Sequence, residues 1–151
     1  MGKMLVRSSA ATRTVVLGWA LALSLACVGC AFLSHYDPTS YKNATDLKAE
    51  ALVLVERAID PPTQHQAEID GLRVRLRQAY EYEAGKGRPN HLTRDQWKLL
   101  IDPKGNLLGG FLAKWERENK GQSHVFVEQI DELVSKAFDQ IIQLEVYKVK
   151  D

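Results

Sequence analysis

The sequence predicts an all-α protein, an antiparallel bundle of about four helices with a broken third helix, preceded by an N-terminal hydrophobic signal or anchor helix. Two observations support this fold class. Residues 14–33 form one uncharged apolar run, and four amphipathic segments with mostly short polar connections follow it. In addition, no segment of useful length alternates apolar and polar residues as a half-buried strand would.

The N-terminal segment has the layout of a secretory signal. Lys3, Arg7 and Arg13 precede the apolar run of residues 14–33, and no acidic residue lies among them. A basic flank followed by an apolar run and small residues is typical of bacterial secretory signals, and the basic flank stays on the cytoplasmic side. We therefore expect the chain beyond Leu33 to be exported.

The apolar run contains Ala26-Cys27-Val28-Gly29-Cys30-Ala31, which resembles the lipobox of bacterial lipoproteins. In that family a diacylglyceryl group is attached to the cysteine thiol, and the chain is then cut so that this cysteine becomes the first residue. The resemblance implies lipidation of Cys30, with Cys27 as the alternative. Neither cysteine has the Leu that the family usually places three residues earlier. Because no Asp follows either cysteine, the resemblance also implies sorting to the outer membrane, facing the periplasm.

This resemblance covers residues 1–31 only, and it implies the following division of the chain. Residues 1–29 would be the lipoprotein signal peptide, residues 30–45 the lipidated cysteine and a tether, and residues 46–151 the helical bundle domain. An uncleaved transmembrane helix is the alternative, because about 20 apolar residues suffice to cross a bilayer. It would make a single-pass inner-membrane protein with the domain on the same side.

The composition beyond this leader bounds the function. The whole chain carries 20 basic and 19 acidic side chains, and removal of the three leader cations leaves 17 basic against 19 acidic ones, a net charge of −2. This balance is not typical of nucleic-acid-binding proteins. No cysteine follows Cys30, so packing rather than disulfides must hold the domain together.

Two helices are predicted in the first half of the domain. The first runs from about Asp46 to Ile59, with Thr45 or Asp46 as its cap. The second runs from Gln64 to about Ala84, and a capping box of Thr63 and Gln66 opens it.

The third helix is predicted to be broken. A capping box that starts at Thr93 opens a short helix, residues 102–106 form a tight turn, and the apolar pattern then resumes to about Asn119. Gly109 and Gly110 weaken a helix by about 1 kcal/mol each. We expect such a pair to mark a bend or the close approach of another backbone.

The last predicted helix is the longest, from His124 to about Lys148, with Ser123 as its cap. Spacings of three and four residues predict one apolar stripe along it. The residues of this stripe are Phe126, Ile130, Leu133, Ala137, Ile141 and Leu144, and it is widened by Val127, Val134, Phe138 and Ile142.

Charge is unevenly distributed between two parts of the domain. Residues 73–104 hold eight basic side chains against four acidic ones, and residues 124–145 hold five acidic side chains against one lysine. We expect these stretches to face and neutralise each other. A basic loop is the part least able to be neutralised in this way, and it is the candidate surface for an acidic partner or lipid headgroups. Its residues are Lys86, Arg88, His91 and Arg94.

Three large aromatic side chains, Trp97, Phe111 and Trp115, are expected to fill the core around the broken helix. The alternative is a pocket between helices that binds a small ligand. Only His65 and Glu68 have a spacing found among metal ligands, at an exposed helix start. The sequence therefore predicts no metal site and no cofactor, and no catalytic constellation can be assembled from it.

These observations predict a lipid-anchored, periplasm-facing envelope lipoprotein that acts as a non-enzymatic binding module. Its predicted partners are the membrane, through the N-terminal lipid, and another envelope protein or lipid headgroups, but no nucleic acid. The alternatives are a small-ligand carrier or sensor with an aromatic pocket, and a single-pass membrane protein.

Overall fold

The structure is a computed structural model that describes residues 34–148. Within this range the chain is all-helical, with five α-helices and no β-strand, so the predicted all-α class is confirmed. The predicted N-terminal helix, Cys27 and Cys30 lie outside the described residues. The helices are α1 (Pro38–Glu56), α2 (Gln66–Gly85), α3 (His91–Ile101), α4 (Leu108–Glu118) and α5 (His124–Val146), with short 3-10 segments at Arg57–Ile59, Pro62–Gln64 and Arg88–Asn90.

Helix α1 begins at Pro38, eight residues before the predicted start at Asp46. Asp37 caps it, because its carboxylate accepts a hydrogen bond from the backbone N–H of Thr39 at 2.8 Å. Pro38 occupies the first helical turn, where no N–H donor is required. Residues 38–45 are therefore helical, and small side chains such as Ser40 pack them into the fold.

Helix α2 begins at Gln66, because Pro62–Gln64 form a 3-10 turn before it. His65 stands at the N-cap position, and no side chain caps the helix. The predicted capping box of Thr63 and Gln66 is therefore wrong. Pro61 explains the difference, since its extended backbone leads directly into the tight turn.

Helix α3 begins at His91, so Thr93 lies within its first turn rather than at the N-cap. The capping box predicted at Thr93 is therefore wrong as well. Its buried hydroxyl instead donates to Glu145 Oε1 at 3.3 Å. The turn before the helix depends on Gly87, whose φ of 77° favours glycine.

The predicted break in the third helical segment is confirmed, and α3 and α4 are separate helices. Within the turn, the backbone N–H of Gly105 donates to Asp102 O at 3.0 Å. Gly109 and Gly110 lie in the first turn of α4, directly against residues 101–105. A Cβ atom would lie 2.3 Å from Ile101 O at Gly109 and 1.8 Å from Gly105 O at Gly110. The close approach predicted from the glycine pair is therefore confirmed.

Helix α5 is the longest helix, and Ser123 caps it as predicted, accepting a hydrogen bond from the Phe126 N–H at 3.3 Å. Its buried apolar residues all belong to the predicted stripe, but Leu133 of that stripe is exposed. The buried line also includes a carboxylate that the stripe did not contain. The buried residues are Val127, Ile130, Val134, Phe138, Ile141 and Glu145.

Helix ends meet in two groups. At the Ser34 end, which comprises residues 34–41, 82–94 and 144–148, the start of α1 lies beside the end of α2, and the start of α3 lies beside the end of α5. At the Gly121 end, which comprises residues 57–66 and 115–124, Gln122 N donates to Ala58 O at 2.7 Å. One apolar core joins the two ends. Within residues 34–148, no helix combines the length and the hydropathy that a bilayer crossing requires.

Candidate functional site

Two carboxylates occupy core positions at the Ser34 end. Glu83 follows the buried Ala79 of α2 by four residues, and Glu145 follows the buried Ile141 of α5 by four residues. Helical periodicity therefore turns both side chains inward, where their exposed fractions are 2% and 0%. Buried carboxylates require charged or hydrogen-bonding partners, and these define the candidate site. We call it the ionic network: Ser34, Asp37, Ser40, Tyr82, Glu83, Lys86, Asn90, Thr93, Glu145 and Lys148.

Three helical segments supply the partners of Glu83. The hydroxyl of Ser40 in α1 donates a hydrogen bond to Glu83 Oε1, and Asn90 Nδ2 donates to Oε2 at 2.6 Å. Lys86 lies one turn further along α2, with its Nζ 3.2 Å from Oε1. Both carboxylate oxygens are thus satisfied, which offsets much of the free-energy cost of burial.

Asn90 connects the chain segments of this end. Its Nδ2 also donates to the backbone oxygen of Glu83 at 2.9 Å, while its Oδ1 accepts from Lys148 Nζ at 2.6 Å and from Ser34 Oγ at 3.1 Å. One buried amide therefore ties the first described residue of the chain to the end of α2 and to the end of α5. Removal of this amide would leave the buried Glu83 Oε2 without its hydrogen-bond donor.

Glu145 is the less satisfied carboxylate. Its Oε1 accepts from Lys148 and from Thr93, whereas its Oε2 is buried and has no hydrogen-bond partner. Burial raises the pKa of Glu145, and the nearby ammonium of Lys148 opposes this rise only in part. A raised pKa in the fold means that this carboxylate lowers stability as the pH rises through that pKa.

Asp37 and Lys86 form the outer part of the network. Burial raises the pKa of Asp37, but hydrogen bonds from Lys86 and Tyr82 outweigh it and hold the pKa well below its usual range. Burial lowers the pKa of Lys86, and its contacts with Asp37 and Glu83 outweigh this effect and raise it. Both groups are therefore charged near neutral pH, and their attraction holds residue 37 against the end of α2.

The chemistry of the network favours cohesion over catalysis. Ser40 lies between a carboxylate and the Lys86 ammonium, an arrangement in which a lysine could in principle activate a hydroxyl. The raised pKa of Lys86 keeps this amine protonated, and the Ser40 side chain is buried. A protonated amine cannot accept the hydroxyl proton, so Lys86 does not activate Ser40, and the contacts of the network hold chain segments together.

The four residues of the predicted basic loop do lie together at the Ser34 end, but in different roles. Lys86 belongs to the ionic network, and Arg94 pairs with Asp95 at 2.8 Å. Arg88 and His91 are exposed, and the Nδ1 atom of His91 lies 3.0 Å from the backbone oxygen of Arg88. Among residues 34–148, Arg88 has no ion-pair partner within 4.0 Å.

The three aromatic residues of the predicted pocket are buried in the core. Trp97 packs edge-on against Phe138, with 5.9 Å between ring centroids. Phe111 and Trp115 stack at 6.0 Å, and Trp115 Nε1 donates to Asp60 O at 3.1 Å. A shallow groove lies nearby at the helix break, and its lining does not include these aromatic side chains. That groove is lined by Arg73, Leu76, Arg77, Ile101, Pro103, Gly109 and Leu112.

His65 lies between two carboxylates at the Gly121 end. Its Nε2 is 3.6 Å from Asp60 Oδ2, and its Nδ1 is 3.5 Å from Glu68 Oε1. The two carboxylates thus approach opposite nitrogens of the ring instead of converging with one nitrogen on a shared point. Within the described range, no group of three or more His, Cys, Asp or Glu side chains could hold a metal ion.

Residues 73–104 and 124–145 meet at α3 and α5, and the Lys86 ammonium acts on the Glu145 carboxylate, but the predicted neutralisation is not made by ion pairs. Arg73 Nη1 donates to Glu116 Oε1 of α4 at 2.8 Å, and Arg75 pairs with Glu50 of α1. Across the part of the chain that the structure describes, no ion pair joins the two stretches. Arg73 and Arg75 lie outside the buried line of α2, on sides of the helix that reach α4 and α1 rather than α5.

Comparison with protein-family models, curated proteins and solved structures finds no match to this chain. The function is therefore inferred from the N-terminal sequence and from the geometry of residues 34–148.

Proposed function

We propose that this chain is a lipid-anchored protein of the bacterial cell envelope, exported and held at the periplasmic face of the outer membrane. The helical domain would act as a non-enzymatic binding module. The observation that carries the proposal is the N-terminal pattern: three basic residues, an uncharged run and Cys30 within small residues. The fold supports it indirectly, because a compact unit begins at Ser34, four residues after Cys30.

In this proposal α3 and α4 act together as one broken third helix of an antiparallel four-helix bundle. The hydrogen bonds at the two ends support this topology. The start of α1 meets the end of α2 through Ser40 and Glu83, and the end of α1 meets the segment before α5 through Ala58 and Gln122. Such a bundle leaves its ends and helix faces available to a partner.

The working surface in this proposal is the exposed part of the basic loop, at Arg88 and His91, and its acidic partner is another envelope protein or lipid headgroups. Arg88 is exposed, and the ionic network does not engage it. An exposed guanidinium attracts negative charge, so the proposed chemistry of this surface is recognition of an acidic partner.

Metabolic labelling with a fatty-acid probe tests the anchor. The Cys30→Ala variant of the full chain should lose the label and leave the membrane fraction, whereas the Cys27→Ala variant serves as the matched control and should keep both. Label on Cys30→Ala that disappears in Cys27→Ala would move the lipid to Cys27. Unlabelled protein that stays in the inner membrane would favour the single-pass alternative.

A further inference from the structure

We propose that the Ser34 end of the bundle docks on the membrane itself, with anionic phospholipid headgroups as the partner of Arg88 and His91. This inference rests on the proposed membrane attachment through residues 14–33. It is argued for a lipid on Cys30, which attaches the chain four residues before Ser34.

The chain connection limits the distance between the anchor and this end. Four residue steps separate Cys30 from Ser34, and a fully extended chain covers at most about 14 Å in that number of steps. Helix α1 alone has 19 residues, which corresponds to about 28 Å. With the proposed lipid on Cys30, Ser34 therefore lies within about 14 Å of the lipidated residue.

The ionic network fixes the point at which the chain enters the domain. Ser34 is hydrogen-bonded to Asn90, and Asp37 is held by Lys86 at 2.8 Å and by the hydroxyl of Tyr82 at 2.7 Å. Residues 38–45, predicted as part of a tether, belong to α1 instead. The position at which the chain joins the fold is thus fixed relative to the loop that carries Arg88.

The exposed groups at this end match an anionic membrane surface. Arg88 lacks a carboxylate partner among the described residues, and a basic side chain near anionic lipid is attracted to it. Leu92 is 53% exposed and Tyr147 is 77% exposed. Leu92 lies within the basic loop, and Tyr147 precedes Lys148, which binds Asn90 at the same end. Tyrosine and basic side chains are enriched where proteins meet the bilayer interface.

A depth-dependent quenching experiment tests this orientation. The full chain in a Cys27→Ser background is reconstituted into phosphatidylcholine vesicles with or without phosphatidylglycerol, and a nitroxide-headgroup lipid serves as quencher. One fluorophore is placed at Leu92→Cys, and a second sample carries it at Lys120→Cys, an exposed position at the Gly121 end. We expect quenching at position 92 but little at position 120, with stronger quenching in the anionic vesicles.

Charge variants at the two ends provide a matched control. Arg88→Gln should lower the ratio of docked to undocked protein about five-fold in anionic vesicles. This is the change expected from the loss of one basic group near an anionic surface. Arg117→Gln removes the same charge from an exposed position at the Gly121 end and should have no effect.

Two failures can be told apart. Protein that does not sediment with the vesicles would contradict the anchor, and the docking with it. Protein that sediments but shows equal quenching at both positions, or no response to Arg88→Gln, would overturn the docking and leave the anchor intact. That second result would favour a protein partner for the basic loop.

Discussion

The two ends of the bundle are closed by different physical means. At the Ser34 end, buried Glu83 and Glu145 are held by lysines, hydroxyls and one amide. At the Gly121 end, backbones meet directly: a Cβ atom on Gly121 would lie 2.0 Å from Ile59 O. Buried ion pairs carry a desolvation cost, and their contribution to stability changes with pH. Close packing of one backbone on another carries no such cost and does not itself titrate. The end next to the proposed anchor is thus the one that buries two carboxylates, whereas His65 at the other end lies between two half-exposed carboxylates, Asp60 and Glu68.

Breaking the ionic closure should produce the largest effect. Lys148→Met removes the main partner of Glu145, and an uncompensated buried charge costs about 3–5 kcal/mol. The loss of unfolding free energy should be smaller at pH 5 than at pH 8, because Glu145, whose pKa is already raised, is more easily neutralised by a proton. Chemical denaturation at both pH values measures it.

The double variant Glu145→Gln with Lys148→Met is the control for this prediction. It removes both charges and should recover much of the lost stability. A Lys148→Met loss that is identical at the two pH values, or below about 1 kcal/mol, would contradict the assignment of a buried ion pair.

The Gly121 end should break by a different route. Gly121→Ala forces a methyl group into the Ile59 backbone, and such overpacking costs about 1–3 kcal/mol. This loss should vary with pH between 5 and 8 far less than that of Lys148→Met, because the added methyl group meets backbone atoms of Ile59 and Asp60, which do not titrate. Thermal denaturation at both pH values measures the loss, with Gly85→Ala as control, since a Cβ there meets no atom within 4 Å. A loss that varies with pH as strongly as that of Lys148→Met would refute the contrast between the ends.

Asp37→Asn sharpens the comparison within the Ser34 end, because asparagine keeps the cap of α1 but removes the charge that Lys86 and Tyr82 hold. A depressed carboxylate pKa contributes stability that is present above the unfolded-state value and is lost as the pH falls through the folded-state value. The variant should lose about 1 kcal/mol at pH 7 and approach the parent protein as the pH falls below about 4. Denaturation across this pH range measures it.

The matched control for Asp37→Asn is Asp46→Asn, which neutralises an exposed partner of Lys42 on the same helix. Exposed pairs contribute little, so this change should be close to neutral at every pH. Equal losses for the two variants would mean that the network adds nothing beyond ordinary surface charge.

The smallest effect on the fold is expected at Tyr147. Tyr147→Ser removes an exposed ring and should change the unfolding free energy by less than about 0.5 kcal/mol. It should nevertheless reduce fluorophore quenching at position 92 in vesicles. Val125→Ser, which is 64% exposed at the Gly121 end, should change neither quantity. A Tyr147→Ser variant that unfolds more easily would indicate a packing role instead.

Local signals in the sequence predicted much of this fold. The break in the third segment follows from residues 102–106, the cap of α5 from Ser123, and the close backbone contact from Gly109 and Gly110. In each case a short stretch of chain contains the physical cause. The start of α1 was missed because Pro38 to Thr45 has little apolar character, although Asp37 before Pro38 was an available signal for a helix cap.

The ionic network was not predicted, and only part of it could have been. Glu83 and Glu145 each continue a line of buried residues at helical spacing, so a charged residue on a core line was a readable signal. The role of Asn90 had no such signal, because its partners Ser34 and Lys148 are 56 and 58 residues away in sequence. The ion-pair partners of α2 also depend on the angle of each helix about its own axis. Sequence periodicity predicts that angle only approximately.

Intact-mass measurement of the protein extracted from cell membranes tests the central claim most directly. The proposed anchor predicts a chain that begins at Cys30 and carries the added mass of acyl groups. An unmodified chain that begins at Met1 and is recovered from the soluble fraction would contradict it.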